Sequence, residues 1–265
     1  MKRAEKLRRA LKTQCELYLT STWGNGIMSP CPKRQFHKLL KLFRARSLVK
    51  LNMVDLLQVV FRDGLAKAGA SALIQELYAN WSRELVPDFW GFCLSGMAQT
   101  ASLRDVLILP TAMMFTVSTG QPHPPSYLRF LVSVEWCRQL WGKGDWDVWA
   151  EEWLSLYPLD HLDETTRTLI EEAQKWIPSI SKILINTKFK KLGVKPLTSL
   201  FDISKLDPNG MKKLDNAEAV HSAEFKQLPI GVQLGIFRLM REKRQSKQAD
   251  IDTMMDAWLK GLGKE

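Results

Sequence analysis

The sequence has 265 residues, of which 45% are hydrophobic and 25% charged, which is the balance of an ordinary globular protein. Apolar residues are spread along the whole chain, which excludes long disordered tracts. The length allows one large domain or two smaller ones. The formal net charge is +10, and it is unevenly placed. Residues 1–50 hold 13 Lys/Arg against two acids, a net of +11, whereas residues 51–265 sum to −1. A neutral body with one strongly basic end is typical of proteins that bind a polyanion.

The compartment is indicated by the cysteines and by the lack of long apolar runs. Four cysteines are scattered without the spacing of a zinc site, which indicates free thiols in a reducing environment. No apolar core of a signal peptide follows the basic N-terminus. The longest apolar run, residues 106–117, is interrupted by Pro110 and is too short to cross a bilayer. We therefore expect a soluble, intracellular (cytoplasmic) protein without a transmembrane segment.

Residues 1–50 predict a basic helical arm. Leu7, Leu11 and Cys15 recur at i, i+4 and i+8 with Lys and Arg between them, which is the pattern of an amphipathic helix with a basic face. The prolines of residues 29–32 predict the start of a second basic helix.

From residue 51 onward helical spacing dominates the sequence. Pro87, Pro110 and Pro178 are expected to end helices, and Asp88 to cap the helix that follows Pro87. Residues 111–118 fit either a buried helix or a strand. The helices are predicted at about 52–67, 70–85, 88–99, 102–109, 126–141, 145–157, 163–177, 215–227, 230–245 and 249–260, with a basic, less regular stretch at 182–213.

These elements predict an all-α fold, a globular multi-helix bundle of about 10–12 short helices. The Gly- and Pro-rich residues 119–125 are the clearest linker in the chain. A two-lobed arrangement would therefore divide the chain into the basic arm 1–50, an N-terminal helical lobe 51–118 and a C-terminal helical lobe 126–265.

The basic residues supply the closely spaced cations that binding to a phosphate backbone requires, and the arginines suit bidentate phosphate contacts. Trp23 and Phe36 lie between the two basic runs and are candidates for base stacking. A second basic cluster at residues 182–195 can close a groove against the arm, or lie in an exposed loop. The predicted nucleic-acid-binding residues are Arg3, Arg8, Arg9, Lys12, Lys33, Arg34, Lys38, Lys41, Arg44, Arg46, Lys188, Lys190 and Lys191.

Residues 131–180 carry the opposite charge, with ten acids and four bases. Within them Trp146, Trp149 and Trp153 fall at i, i+3 and i+7, on one face of a predicted helix. Such a stripe either packs in the core or binds a partner protein. The acidic segment of one subunit can also receive the basic arm of the next, which would give self-assembly.

Signals for catalysis are weak. Ser179 and Lys182 match S-x-x-K, but the companion motifs are absent. Glu218, His221 and Glu224 are spaced three apart on a predicted helix, but a carboxylate-bridged metal site needs a second Glu-x-x-His copy, which the sequence lacks. No glycine-rich nucleotide-binding motif occurs. We therefore expect no enzyme, no metal and no cofactor.

The leading hypothesis is a non-enzymatic protein that binds DNA or RNA in an oligomer or larger assembly, contacting phosphates without strong sequence specificity. One alternative is a protein-interaction subunit that docks through its basic end and its Trp-rich helix. Another is a metal-dependent enzyme with ligands scattered along the sequence. Peripheral membrane binding is disfavoured, because the apolar stripe of residues 7–19 has no Trp or Phe to insert.

Overall fold

The structure is a computed structural model that describes residues 53–117, 120–212, 214–215, 218–242 and 248–262. The basic arm 1–50 and its predicted binding residues lie outside these ranges. The helices are α1 (Met53–Lys67), α2 (Ala72–Ser95), α3 (Met97–Val106), α4 (Thr111–Met114), α5 (Ser126–Trp141), α6 (Asp145–Leu156), α7 (Glu164–Lys175), α8 (Ile177–Asn186), α9 (Pro208–Met211), α10 (Ala223–Gln227), α11 (Ile230–Glu242) and α12 (Gln248–Leu262).

The predicted all-α fold is confirmed. Within the described ranges the strands are two residues each, β1 (Lys188–Phe189) and β2 (Lys195–Pro196), which pair in antiparallel orientation. Short 3-10 turns connect the later elements, at Lys190–Leu192, Leu197–Leu200, Ile203–Leu206 and Ala219–His221.

Helix α5 lies at the centre of the bundle. It follows Pro125 and ends at Gly142, whose φ of +75° favours glycine. Helices α2, α3, α6, α7 and α8 all pack against it, and its buried residues lie around its whole circumference, as in a helix enclosed by others. Trp136 of α5 packs edge-on against Phe89 of α2, with ring centroids 5.1 Å apart.

The predicted helix end at Pro87 is wrong, because α2 continues through it to Ser95. Val86 and Phe89, on either side of the proline, are fully buried. Asp88 does not cap a new helix but lies buried in an ion pair with Arg129 of α5. We attribute the continuity of α2 to these contacts, which offset the roughly 3 kcal/mol cost of a proline inside a helix.

Residues 111–118, which fitted either a helix or a strand, contain the helical turn α4, followed by the buried Phe115. Helix α3 begins at Met97, five residues before its predicted start. It begins there because the chain turns at Gly96, where φ is +60°.

The chain turns between α7 and α8 at Trp176, two residues before Pro178. Pro178 lies in the first turn of α8, where its missing N–H would have no helical partner. The start of α7 follows its predicted signal, because the Asp163 carboxylate accepts a hydrogen bond from the N–H of Thr166 at 3.0 Å.

The prediction of one continuous helix over residues 215–227 is wrong. The structure places a 3-10 turn at Ala219–His221 and the short helix α10 after it. Ser222 lies between them in extended conformation and caps α10 through the N–H of Phe225. A side-chain cap favours a new helix start over a continuous helix, so Glu218, His221 and Glu224 do not share one helix.

The hydrophobic core draws on both sides of residues 119–125, since Phe89 of α2 and Phe130 of α5 belong to the same buried cluster. The division into two lobes stays a prediction. Among the described residues, no helix combines the length and the apolar character needed to cross a membrane.

Candidate functional site

A small β-hairpin follows α8 and carries most of the second basic cluster. Its register pairs Lys188 with Pro196 and Phe189 with Lys195. Phe189 and, just beyond the hairpin, Leu197 are buried in the core. These two apolar side chains therefore fix the hairpin against the body of the protein.

Four lysines of α8 and the hairpin are exposed, and we call them the basic surface: Lys182, Lys188, Lys190 and Lys195. None of them forms an ion pair with a carboxylate of the residues that the structure describes. The local sequence explains this, because six lysines and no acid lie between Glu172 and Asp202. Their charges are therefore available to an external anion.

The tip of the hairpin holds a residue that the sequence analysis missed. Gly193 has φ of +67° and Val194 has φ of +61°, and a β-branched residue rarely adopts this left-handed conformation. The Val194 side chain is 63% exposed. Strained residues of this kind concentrate at functional sites. Gly193 marks a turn in the sequence, but nothing in the sequence marks a second left-handed residue after it.

The structure therefore places two predicted phosphate-binding residues, Lys188 and Lys190, on the same short helix–hairpin segment as Lys182 and Lys195, with all four side chains exposed. The side chain of Lys191 lies outside the described residues, as do Trp23, Phe36 and every predicted basic residue of the arm. Their part of the site stays a prediction.

The three tryptophans of α6 lie in the core. Trp146, Trp149 and Trp153 are 2%, 5% and 2% exposed. The indole N–H of Trp146 donates to the carbonyl of Gly142 at 3.0 Å, and that of Trp153 to the carbonyl of Tyr127 at 3.3 Å. The core interpretation of the stripe is therefore the one that the structure shows, and no indole face lies open to a partner.

The other side of α6 is acidic. Residues 145–164 hold seven acids and no Lys or Arg. Six of these acids are exposed and form no ion pair with a Lys or Arg of the described residues, and one of the six, Asp163, caps α7. We call the other five the acidic surface: Asp145, Glu151, Glu152, Asp160 and Glu164.

Asp147, like the α7 cap Asp163, has a clear structural role in this segment. Its carboxylate accepts hydrogen bonds from the N–H of Gly144 at 2.9 Å and from Nε of Arg138 at 2.6 Å. Partial burial raises the pKa of Asp147, but these hydrogen bonds and the Arg138 charge outweigh it and lower the pKa below its usual value. Asp147 therefore stabilises the first turn of α6.

The charge of the buried Arg238 is paired with acids of the same protein, so Arg238 is not a candidate for binding an external anion. It is 2% exposed, and its guanidinium binds Asp105 of α3 at 2.6 Å and Glu242 of α11 at 2.5 Å. Arg104 binds the same Glu242 at 2.9 Å and lies over the ring of Trp149, 4.7 Å from its centroid. This network ties α11 to α3 and to the Trp side of α6. Its charges are neutralised inside the protein.

No metal-binding arrangement appears among the described residues. No group of three His, Cys, Asp or Glu side chains there is placed to hold a metal ion. A shallow depression of about 470 Å³ lies beside Tyr127, whose hydroxyl already donates to Gln174 at 3.2 Å. The depression is lined by Tyr127, Leu159, Glu171, Gln174, Lys175 and Pro178.

A scan against protein-family models finds no match, and searches of curated proteins and of solved structures find no significant match either. Function is therefore inferred from the charges and geometry of this chain.

Proposed function

We propose that this protein is a non-enzymatic nucleic-acid-binding protein that contacts the phosphate backbone through its basic surface together with the basic residues of 1–50. The observation that supports this is the grouping of Lys182, Lys188, Lys190 and Lys195 on one helix–hairpin unit without a compensating carboxylate among the described residues.

The chemistry of these residues favours phosphates over bases. A lysine ammonium is a flexible point charge that binds phosphate oxygens without a fixed direction. Each phosphate that it neutralises releases condensed counterions, which makes binding favourable and strongly dependent on salt. The one aromatic ring of the hairpin, Phe189, is buried and cannot stack on a base. The described part of the site therefore fits contacts to the phosphate backbone of a nucleic acid that do not distinguish one base sequence from another.

The test replaces three hairpin lysines, Lys188→Gln, Lys190→Gln and Lys195→Gln, in the full chain. Binding to fluorescent single strands of RNA and DNA is measured by polarisation between about 50 and 200 mM salt. We expect weaker binding, and a log–log salt slope smaller in magnitude by about two, since each phosphate contact to a single strand contributes roughly 0.7. Unchanged affinity and slope would overturn the assignment of the basic surface.

A matched control removes the same number of exposed cations elsewhere. Arg62, Lys205 and Lys260 are paired with Glu76, Asp202 and Asp256, so replacing them with Gln should change binding less. The arm is tested separately by reversing the charges of Arg8, Arg9, Lys38 and Lys41. This should weaken binding without unfolding the protein, as circular dichroism would show.

A second candidate function is a protein-interaction subunit, which the acidic surface favours because its exposed carboxylates can meet the cations of a partner protein. The ultraviolet absorbance ratio of protein purified at low salt separates the two candidates. Co-purified nucleic acid supports the first, whereas a spectrum of protein alone, together with no binding in the polarisation assay, supports the second.

A further inference from the structure

Large apolar side chains are exposed beside the acidic surface. On α6, Val148 is 53% and Leu156 58% exposed. Ile108, between α3 and α4, is 56% exposed, and Met113, on α4, is 58% exposed. Single exposed apolar residues are common, but several on adjoining segments mark a site of interaction.

Two contacts hold these segments side by side. The hydroxyl of Tyr157, at the end of α6, donates to the carbonyl of Leu109 at 3.2 Å. The ring of Phe115 packs edge-on against His161, with centroids 5.7 Å apart. Ile108 and Leu156 are the chain neighbours of the hydrogen-bonded pair, so the exposed apolar residues lie on two adjoining segments, one of which carries the acids of residues 145–164.

We propose that this acidic and apolar surface binds the basic amphipathic segment 2–18 of the same chain. The segment repeats Leu7, Leu11 and Cys15 on one side, with six Lys/Arg against two acids in total. The apolar stripe of the segment can pack against the exposed apolar residues of the surface. The cations that flank the stripe can then pair with the carboxylates that flank those apolar residues. The proposal does not depend on nucleic-acid binding.

Segment 2–18 has an advantage over the same segment of a second copy, because it is tethered to the body that carries the acidic surface. A tethered segment is present at an effective concentration on the order of millimolar, far above that of a second copy in dilute solution. The 34 residues between Tyr18 and Met53 cover about 50 Å even at the rise of an α-helix. A compact body of this size has a radius of gyration of roughly 17 Å, so the tether can reach the acidic face.

This contact has a consequence for polyanion binding. The lysines and arginines of segment 2–18 cannot neutralise carboxylates and phosphates at the same time. Docking of the segment therefore competes with any polyanion for the same cations, and it does not engage the hairpin lysines.

The test places a photoreactive amino acid at Leu11 of the full chain and maps crosslinks by mass spectrometry, without nucleic acid. We expect crosslinks to residues 145–164 or 108–113 within one chain, at a yield that does not change on about a hundredfold dilution. Glu151→Lys with Glu152→Lys should lower that yield about tenfold, as the loss of two exposed ion pairs allows.

The matched control, Glu218→Lys with Glu224→Lys, makes the same change of charge at exposed sites outside the acidic surface and should keep the crosslink. Crosslinks that map elsewhere, or that respond equally to both double variants, would overturn the proposal. Crosslinks that join two copies and disappear on dilution would replace the same-chain contact with self-association. Because the assay contains no nucleic acid, each of these results is independent of the proposed function.

Discussion

Arg129 of α5 holds the carboxylate of Asp88 in a bidentate ion pair at the centre of the bundle. Its Nε lies 2.5 Å from Oδ2 of Asp88 and its Nη2 lies 2.9 Å from Oδ1. The Asp88 side chain is fully buried, and Glu84 binds the same guanidinium at 3.2 Å. The pair therefore links α2, just after its internal proline, to the helix around which the other helices pack.

Removing the arginine should destabilise the protein strongly. Arg129→Met removes the bidentate guanidinium from the buried Asp88 carboxylate, and breaking such a pair costs about 3–5 kcal/mol. Chemical denaturation followed by tryptophan fluorescence measures the change. Arg62→Met is the control, because the Arg62–Glu76 pair is exposed and should contribute no more than about 1 kcal/mol. Equal losses in the two variants would contradict a special role for the buried pair.

Gly231 is expected to tolerate no side chain. A Cβ at this position would lie 1.6 Å from the carbonyl oxygen of Leu94, so Gly231→Ala must push α11 away from α2. We expect a loss of about 1–3 kcal/mol of unfolding free energy or more, the range for overpacking. Gly210→Ala is the matched control, since nothing lies within 4 Å of its Cβ. Similar midpoints of denaturation for the two variants would show that the two helices do not approach this closely.

Asp147 should contribute stability that depends on pH. Its folded-state pKa lies below the unfolded value of about 3.9, so its contribution is complete above that value and is lost as the pH falls through the lower, folded-state pKa. Asp147→Asn should therefore be less stable than the wild type near neutrality, with a difference that shrinks below about pH 4. Denaturation of both proteins at several pH values measures this difference. A difference in stability that does not change with pH would contradict this contribution of Asp147.

Much of the fold was predictable where local signals determine an element. The bounds of α5 and α6 follow from Pro125, from the glycines at 142 and 144, and from the apolar spacing between them. Such signals act through the backbone of the residues themselves. They do not require knowledge of the neighbouring helices.

Elements that depend on distant contacts were not predictable in the same way. Pro87 is a strong local signal for a helix end, but Arg129, 41 residues beyond Asp88, pairs with the residue that follows it. Segment 223–227 has helical spacing, but the Ser222 cap separates it from the preceding turn. In both cases tertiary or side-chain contacts override propensity.

The candidate site was predictable in its charge but not in its shape. The cluster of lysines at residues 182–195 is visible in the sequence. Their presentation on a hairpin depends on the burial of Phe189 and Leu197, which is a property of the whole core. The exposed apolar residues beside α6 were not predictable, since Leu156 and Met113 are residue types that are more often buried.

The two described cysteines should be inert in the folded protein. Cys93 and Cys137 are buried, and burial raises the pKa of both thiols, that of Cys137 to about 12. Thiolate is the reactive form, so a thiol reagent at about pH 8 should label neither residue until denaturant is added. The measurement uses Cys15→Ser with Cys31→Ser, which removes the other two thiols. Labelling of the folded variant at the rate of a free cysteine would contradict their burial.

The strain at Val194 should be measurable and separable from its exposure. Val194→Gly relieves the left-handed conformation and should raise the unfolding free energy by about 1 kcal/mol. Val194→Ala keeps a Cβ at the same φ and loses the exposed isopropyl group, so it should remain close to the wild type in stability. If both variants bind single-stranded RNA like the wild type while only the glycine variant gains stability, the strain serves only the shape of the hairpin. The two variants share the loss of the Val194 isopropyl group and differ in backbone strain. If both lose affinity for RNA, the Val194 side chain therefore contacts the ligand.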